Sequence, residues 1–167
     1  EERDGTAEFL LTRPISRARI VDSKYAALVT LLVLIYTVQT IWAVVGMTVF
    51  GTEVDWDVFV AMHVHGFVLI SFFTGIAALL GSFVSPKVNF MGPVVGLIFG
   101  SYFLDAISKA TDAVSFLGYV TPYHYLKLQA EGGELSVNWL ASVALLGVAA
   151  GALYAARSRY LKRDITG

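Results

Sequence analysis

Residues 25–47 form an unbroken apolar run that contains no charged side chain. About 20 helical residues cross the hydrocarbon of a bilayer, so this run is long enough to span a membrane. Three further apolar runs follow, at about residues 58–84, 91–108 and 139–156. Membrane-spanning β-strands would be about 10 residues long with strict alternation, which these runs lack. The sequence therefore predicts an all-α integral membrane protein with four transmembrane helices.

The composition supports the same fold class. Hydrophobic residues make up 56% of the chain and charged residues 15%, with a mean hydropathy of +0.68. Soluble domains contain about 45–50% hydrophobic residues and about 25% charged residues, so the excess apolar surface must face lipid. The net charge of −1 gives no basic field for nucleic acid. There is no cysteine, which excludes disulfides and thiolate metal sites.

Lysine and arginine are concentrated at the two ends of the chain. If the chain crosses the membrane four times, ten of its twelve basic residues fall on one side. Cytoplasmic segments carry such an excess, so we predict a multi-pass plasma-membrane protein with both ends in the cytoplasm. Trp42, Trp56 and Trp139 cluster near the opposite boundary, as in an aromatic belt. The outer side then includes a long connection, at about residues 109–138.

Residues 1–24, here called the leading segment, are charged and interrupted by a proline. Phe9 and Leu10 form a small apolar patch on a predicted short helix. Arg13 precedes Pro14 and is therefore restricted to an extended conformation, which ends that helix. Two interpretations remain open on these grounds. The leading segment is either an interfacial amphipathic anchor or a surface that docks a partner.

The leading segment resembles the cytoplasmic loop of six-span type 2 ABC transporter permeases. That loop has an acidic pair, Gly-Thr, a Leu-Leu pair, then Pro-x-Ser-Arg and a lysine before the third span. The tail YLKRDITG and the stretch TPYHYLK are also similar to this family. The resemblance implies that the four spans are the third to sixth of six, with the first two lacking here. The matching positions are Glu1, Glu2, Gly5, Thr6, Glu8, Leu10, Leu11, Pro14, Ser16, Arg17 and Lys24.

In this family the corresponding loop contains a coupling helix that sits in a groove of a separate ATP-binding subunit. The resemblance thus divides the chain into a cytoplasmic coupling loop, residues 1–24, and a transmembrane permease domain, residues 25–167. It implies an exporter that pairs with a second permease copy and with cytoplasmic ATPase subunits. The residues expected to contact the ATPase subunit are Glu2, Gly5, Thr6, Glu8, Phe9, Leu10, Leu11, Arg13, Pro14 and Arg17.

No catalytic or cofactor-binding motif is found in the sequence. It contains no GxxxxGK[ST], so ATP hydrolysis is expected in the partner and not in this chain. An intramembrane enzyme would need reactive groups at one depth, for which Glu53, His63 and His65 are poor candidates. The main alternative is a non-ABC anchoring or assembly protein. Such a protein needs basic ends but has no use for GT, LL and PISR at fixed spacing.

The three histidines are not expected to bind a metal. His63 and His65 are two residues apart on a helix, which places them about 200° apart and on opposite faces. His124 lies in the outer connection, which we expect to form short helices broken at Pro122. Asp105 precedes Lys109 by four residues, the favourable order for an ion pair on a helix.

Glycines recur at four-residue spacing in two of the spans. Such small-residue ridges let helices approach closely in lipid, where packing drives their association. We expect them to pack helices within the subunit; a dimer seam or the wall of the translocation path is the alternative. These predicted helix-packing residues are Gly92, Gly96 and Gly100 in the third run, and Gly147 and Gly151 in the fourth.

Overall fold

A computed structural model describes residues 16–84, 89–126, 129–131 and 134–162. Four of its helices are long and apolar enough to cross a membrane, which confirms the predicted fold class. We number the elements in chain order. They are α1 (Arg17–Val49), α2 (Trp56–Gly81), α3 (Met91–Ser108), a 3₁₀ helix (Asp112–Val120), α4 (Pro122–Tyr125), β1 (Gln129–Glu131), β2 (Glu134–Ser136) and α5 (Trp139–Lys162).

The first helix, α1, begins well before the apolar run that predicted it. Ser16 caps it, because its side-chain oxygen accepts a hydrogen bond from the backbone N–H of Arg19 at 3.3 Å. At the other end of the chain, α5 continues past residue 156 to Lys162. Hydropathy marks the part of a helix that lies in hydrocarbon, whereas these charged turns extend beyond it.

A short turn joins α1 to α2. Gly51 has a φ of 63°, a left-handed conformation that glycine adopts without steric cost. Asp55 then caps α2, since its Oδ1 accepts hydrogen bonds from the N–H groups of Asp57 and Val58 at 3.1 and 3.2 Å. Gly51 therefore helps to reverse the chain, and Asp55 starts the second helix.

The closest helix pair is α2 with α5, which run side by side in the same direction. A methyl group added at Gly75 would lie 2.6 Å from the carbonyl oxygen of Ala149 and 2.8 Å from its Cα, so the two backbones are in contact. Small residues that permit such contact are typical of helix pairs in lipid. The buried residues recur every seven positions on both helices, at Ala61, Val68 and Gly75 on α2 and at Ser142, Ala149 and Ala156 on α5.

The antiparallel helix α1 crosses α2 near its middle. The hydroxyl of Tyr36 donates a hydrogen bond to the backbone carbonyl of His63 at 2.5 Å. Gly66 makes room for it, because a methyl group there would lie 2.6 Å from that hydroxyl oxygen. Most other apolar side chains of α1, such as Leu34 and Ile41, are exposed.

The outer connection contains the short helices that the sequence predicted and one hairpin that it did not. Pro122 occupies the first turn of α4, where its missing N–H has no cost. The strands β1 and β2 pair antiparallel, with Ala130 opposite Leu135. The connection is folded against α2 and α3.

Candidate functional site

Nine of the ten predicted coupling residues lie outside the described residues, from Glu2 to Pro14. The tenth, Arg17, is the first residue of α1. The described structure therefore shows where the leading segment joins the membrane domain. The contacts of that first helix with its neighbours decide what a displacement of the leading segment would move.

An ion pair connects the first turns of α1 to the last turns of α5. The guanidinium of Arg157 donates to both carboxylate oxygens of Asp22, from Nε to Oδ1 at 2.5 Å and from a terminal nitrogen to Oδ2 at 3.0 Å. Both side chains are partly exposed. Such a two-bond pair fixes orientation as well as distance.

A second arginine of α5 reaches the end of α2. Arg159 donates from Nε to the carbonyl oxygen of Ser82 at 3.3 Å, and its guanidinium carbon lies 3.8 Å from the centre of the Phe83 ring. Ser82 follows the last turn of α2, where unsatisfied carbonyls favour a cation. The guanidinium also makes a cation–π contact with the ring.

These five residues form what we call the inner junction: Asp22, Arg157, Arg159, Ser82 and Phe83. It ties α1, α5 and α2 together at one end of the helix bundle. In the sequence, the two arginines served only to predict the orientation of the chain in the membrane. The sequence alone did not indicate Arg157 as the partner of Asp22, because Arg19, three residues earlier on the same helix, was an available local partner.

The predicted glycine ridges contact no other described part of the chain. A methyl group added at Gly96 or Gly100 of α3 would have no described neighbour within 4 Å, and the same holds for Gly92, Gly147 and Gly151. On α5 the packed face is that of Ala149, which points about 200° away from Gly147 and from Gly151. The close glycine contacts occur at Gly66, Gly75 and Gly118.

Asn138 joins the start of α5 to His65 of α2 and to the end of α4. Its backbone N–H donates to Nε2 of His65 at 3.2 Å, and its side-chain nitrogen donates to the carbonyl oxygen of Tyr125 at 3.2 Å. Its Oδ1 accepts from the N–H of Ala141 and so caps α5. His65 thereby holds the start of α5 and, through Asn138, the end of α4.

The histidines two residues apart have different surroundings, as the helical geometry predicts. His63 stacks on Phe59 with ring centres 3.9 Å apart, and its Nδ1 lies 2.8 Å from the Phe59 carbonyl oxygen. His124 packs against Tyr119. Within the described ranges, no three His, Cys, Asp or Glu side chains are close enough to hold a metal ion.

The predicted ion pair at the end of α3 is confirmed. Lys109 Nζ lies 2.5 Å from Oδ2 of Asp105, whose side chain is only 6% exposed. Tyr123 of α4 packs at 5.7 Å from the ring of Tyr102. Burial raises the pKa of Tyr123, and the nearby Tyr102 and Asp105 raise it further, so its phenol stays neutral. This cluster fixes the connection to α3.

A cavity of about 310 Å³ lies between α1, α2 and α5. Most of its lining side chains are apolar, so it suits a lipid chain or a hydrophobic cargo better than an ion. The residues that line it include Tyr36, His63, Phe67, Trp139, Ser142 and Leu146.

Comparison with known proteins agrees with this architecture. The family described as ABC-2 family transporter protein matches residues 1–165, which include the leading segment, all four long helices and most of the tail. No curated protein and no solved structure matches the chain. This match covers almost the whole chain, including the four membrane-length helices, and therefore shows the family of the protein. The chain belongs to the ABC-2 transporter family and is a multi-pass membrane permease of an ABC transporter.

Proposed function

We propose that this permease forms half of an export path and that the leading segment couples it to a separate cytoplasmic ATPase. The observation that carries the proposal is the two-bond pair between Asp22 and Arg157, which connects the helix that follows the leading segment to the last span. Family membership supports an ATPase partner. Hydrolysis of ATP would take place in that partner and not in this chain.

The inner junction gives a physical route for coupling. The helix α1 has 33 residues and is about 50 Å long at 1.5 Å per residue, so it can act as a lever. A force on Arg17 would move Asp22, which lies about one turn further along α1. Through Arg157 it would also move the end of α5. The backbone contact between Gly75 and Ala149 then makes α2 move with α5.

The charge distribution supports a cytoplasmic location of the inner junction. Arg19, Arg157 and Arg159 lie at this end of the bundle, whereas Asp55 and Asp57 lie at the opposite end, where α2 starts. An excess of basic residues marks the cytoplasmic side. The leading segment and the tail would then both face an ATPase subunit.

The glycine ridges support contacts with helices beyond the described residues. One open stripe lies on α3 and consists of Gly92, Gly96 and Gly100. A second lies on α5 and consists of Gly147 and Gly151. We place the helix-packing role predicted for them at an interface with other spans of the transporter, a second permease copy above all. Close packing on small residues is the main source of helix association in lipid.

The family match argues against the alternative of a non-ABC anchoring protein. An anchor would also need no lateral connection between its first and last spans. The pair between Asp22 and Arg157 is such a connection, and it lies where a motor subunit would act.

Co-purification tests the coupling. Tagged permease is isolated from native membranes as the wild type and as Leu10→Asp, and the ATP-binding subunit that accompanies it is measured. Burial of one leucine in a groove contributes about 2 kcal/mol, so the aspartate should weaken the affinity about thirtyfold and lower the retained subunit accordingly. Leu10→Met is the matched control, because it preserves the apolar volume. Equal retention of the subunit by the Leu10→Asp permease would rule out docking through this patch.

A further inference from the structure

A second cavity, of about 640 Å³, lies beside the inner junction, between the end of α2 and the last turns of α5. Its volume falls within the about 300–1,000 Å³ that is typical of small-molecule sites. Neither the family match nor the coupling proposal gives it a role. Its lining includes Ser82, Phe83, Tyr154, Ser158, Arg159 and Lys162.

The lining combines two cations with two exposed aromatic rings. Arg159 and Lys162 are one turn apart on α5 and supply the positive charge. Phe83 is 59% exposed and Tyr154 is 69% exposed, which is unusual for large rings unless they face lipid or a ligand. Among the described lining residues, no side chain is acidic.

The position of Arg159 suits it to bind an oxyanion. Its bond to the Ser82 carbonyl oxygen uses Nε, and the ring of Phe83 supports the guanidinium plane. The two terminal nitrogens therefore remain as a pair of donors within the described part of the chain. A guanidinium held in this way recognises phosphate through two parallel hydrogen bonds.

We propose that this cavity binds the phosphate of an anionic phospholipid in the cytoplasmic leaflet. Basic pockets between transmembrane helices on the cytoplasmic side recognise such headgroups. A lipid explains the lining better than free phosphate does, because Phe83 and Tyr154 provide apolar surface that an inorganic ion cannot use. The choice of leaflet rests on the orientation in the proposed function.

Lipid retention tests the site. The purified permease is equilibrated with equal amounts of phosphatidylglycerol and phosphatidylcholine, washed, and its bound lipid identified by mass spectrometry. We expect the wild type to retain phosphatidylglycerol preferentially and Arg159→Gln to retain about fivefold less of it. Ala155→Phe fills the cavity without changing any charge, and it should lose the preference as well.

The controls separate a built site from general surface charge. Arg19→Gln removes one cation at the same end of the bundle, outside the cavity, and should retain lipid as the wild type does. Arg159→Lys keeps the charge but not the paired donors, and should give an intermediate value even if Arg159→Gln folds poorly. Equal losses in Arg19→Gln and Arg159→Gln would overturn the proposal. Displacement of the lipid by excess inorganic phosphate would also overturn it, in favour of a free-anion site.

The orientation is tested separately. The chain has no cysteine, so Ser158→Cys offers a single thiol at the cavity. A membrane-impermeant maleimide should label it only from the cytoplasmic side of sealed vesicles. Labelling from the outside would reject the proposed orientation and the leaflet, whereas the retention measurement decides on the headgroup site itself.

Discussion

Arg157 binds both carboxylate oxygens of Asp22, with Nε 2.5 Å from Oδ1 and a terminal nitrogen 3.0 Å from Oδ2. The two residues are far apart in the sequence and belong to the first and last long helices. Arg159, two residues later, contacts the end of α2. One end of the bundle is therefore connected across three helices by two arginines of a single helix.

The first prediction concerns this pair as a mechanical connection. Arg157→Gln should lower ATP-driven transport by about twofold to tenfold, because α5 no longer follows α1. The thermal midpoint should change little, since ion pairs exposed to solvent contribute little to stability. Transport in proteoliposomes and thermal unfolding of the same preparations measure the two effects.

Exchange of the two charges provides the control. Asp22→Arg combined with Arg157→Asp restores opposite charges at this position and should recover part of the lost transport. A double variant that transports no better than Arg157→Gln would show that the pair does not carry the coupling. A large drop in the thermal midpoint of Arg157→Gln would likewise assign it a structural role.

The second prediction concerns the contact between α2 and α5. Gly75→Ala places a methyl group 2.6 Å from the carbonyl oxygen of Ala149, and a backbone atom cannot move aside as a side chain does. Overpacking of this kind costs about 1–3 kcal/mol in the free energy of unfolding. Unfolding in mixed micelles measures it, with Gly147→Ala as the matched control on an open face. A Gly75→Ala protein as stable as Gly147→Ala would mean that the helices do not touch here.

The positions of the spans could be predicted because the membrane imposes one length on every crossing helix. The apolar run at residues 91–108 coincides with α3, and the other three long helices contain most of their runs. The helix ends could not be predicted in the same way. At its start α1 extends into charged sequence, and so does α5 at its end. There the helices are stabilised by the Ser16 cap and by the ion pair of Arg157, which hydropathy does not reveal.

The faces on which the helices pack could not be predicted from glycine spacing. A regular ridge such as Gly147 and Gly151 shows that a helix can be approached closely, but not which helix approaches it. The packed face of α5 carries Ala149 and Ser142 instead. Its partner Gly75 lies nine residues after Gly66 and six before Gly81, and this spacing gives no four-residue signal. The β1–β2 hairpin was missed for a similar reason, since each strand is only three residues long.

The third prediction concerns the crossing of α1 and α2. Tyr36→Phe removes the hydroxyl that donates to the His63 carbonyl oxygen, and should cost about 0.6 kcal/mol, as interhelical hydrogen bonds in membranes do on average. Gly66→Ala should cost more in the wild type than in Tyr36→Phe, because the atom that obstructs the new methyl group is that same hydroxyl oxygen. A double-mutant cycle on unfolding free energies measures the coupling, which we expect at about 0.5–1 kcal/mol. Strict additivity would show that the hydroxyl does not occupy the space above Gly66.

The last prediction concerns the pair at the C-terminal end of α3. Lys109→Met removes the cation that compensates Asp105, whose Oδ1 already has no hydrogen-bond partner among the described residues. A buried carboxylate without its partner is costly, but the lysine is 54% exposed, so we expect a loss of about 1–3 kcal/mol rather than the about 3–5 of a fully buried pair. Adding Asp105→Asn to Lys109→Met should recover most of this loss, because the uncompensated charge is then gone. Unfolding of the three variants in one lipid mixture measures these differences. If Lys109→Met is as stable as the wild type, water reaches Asp105 and the carboxylate needs no cation.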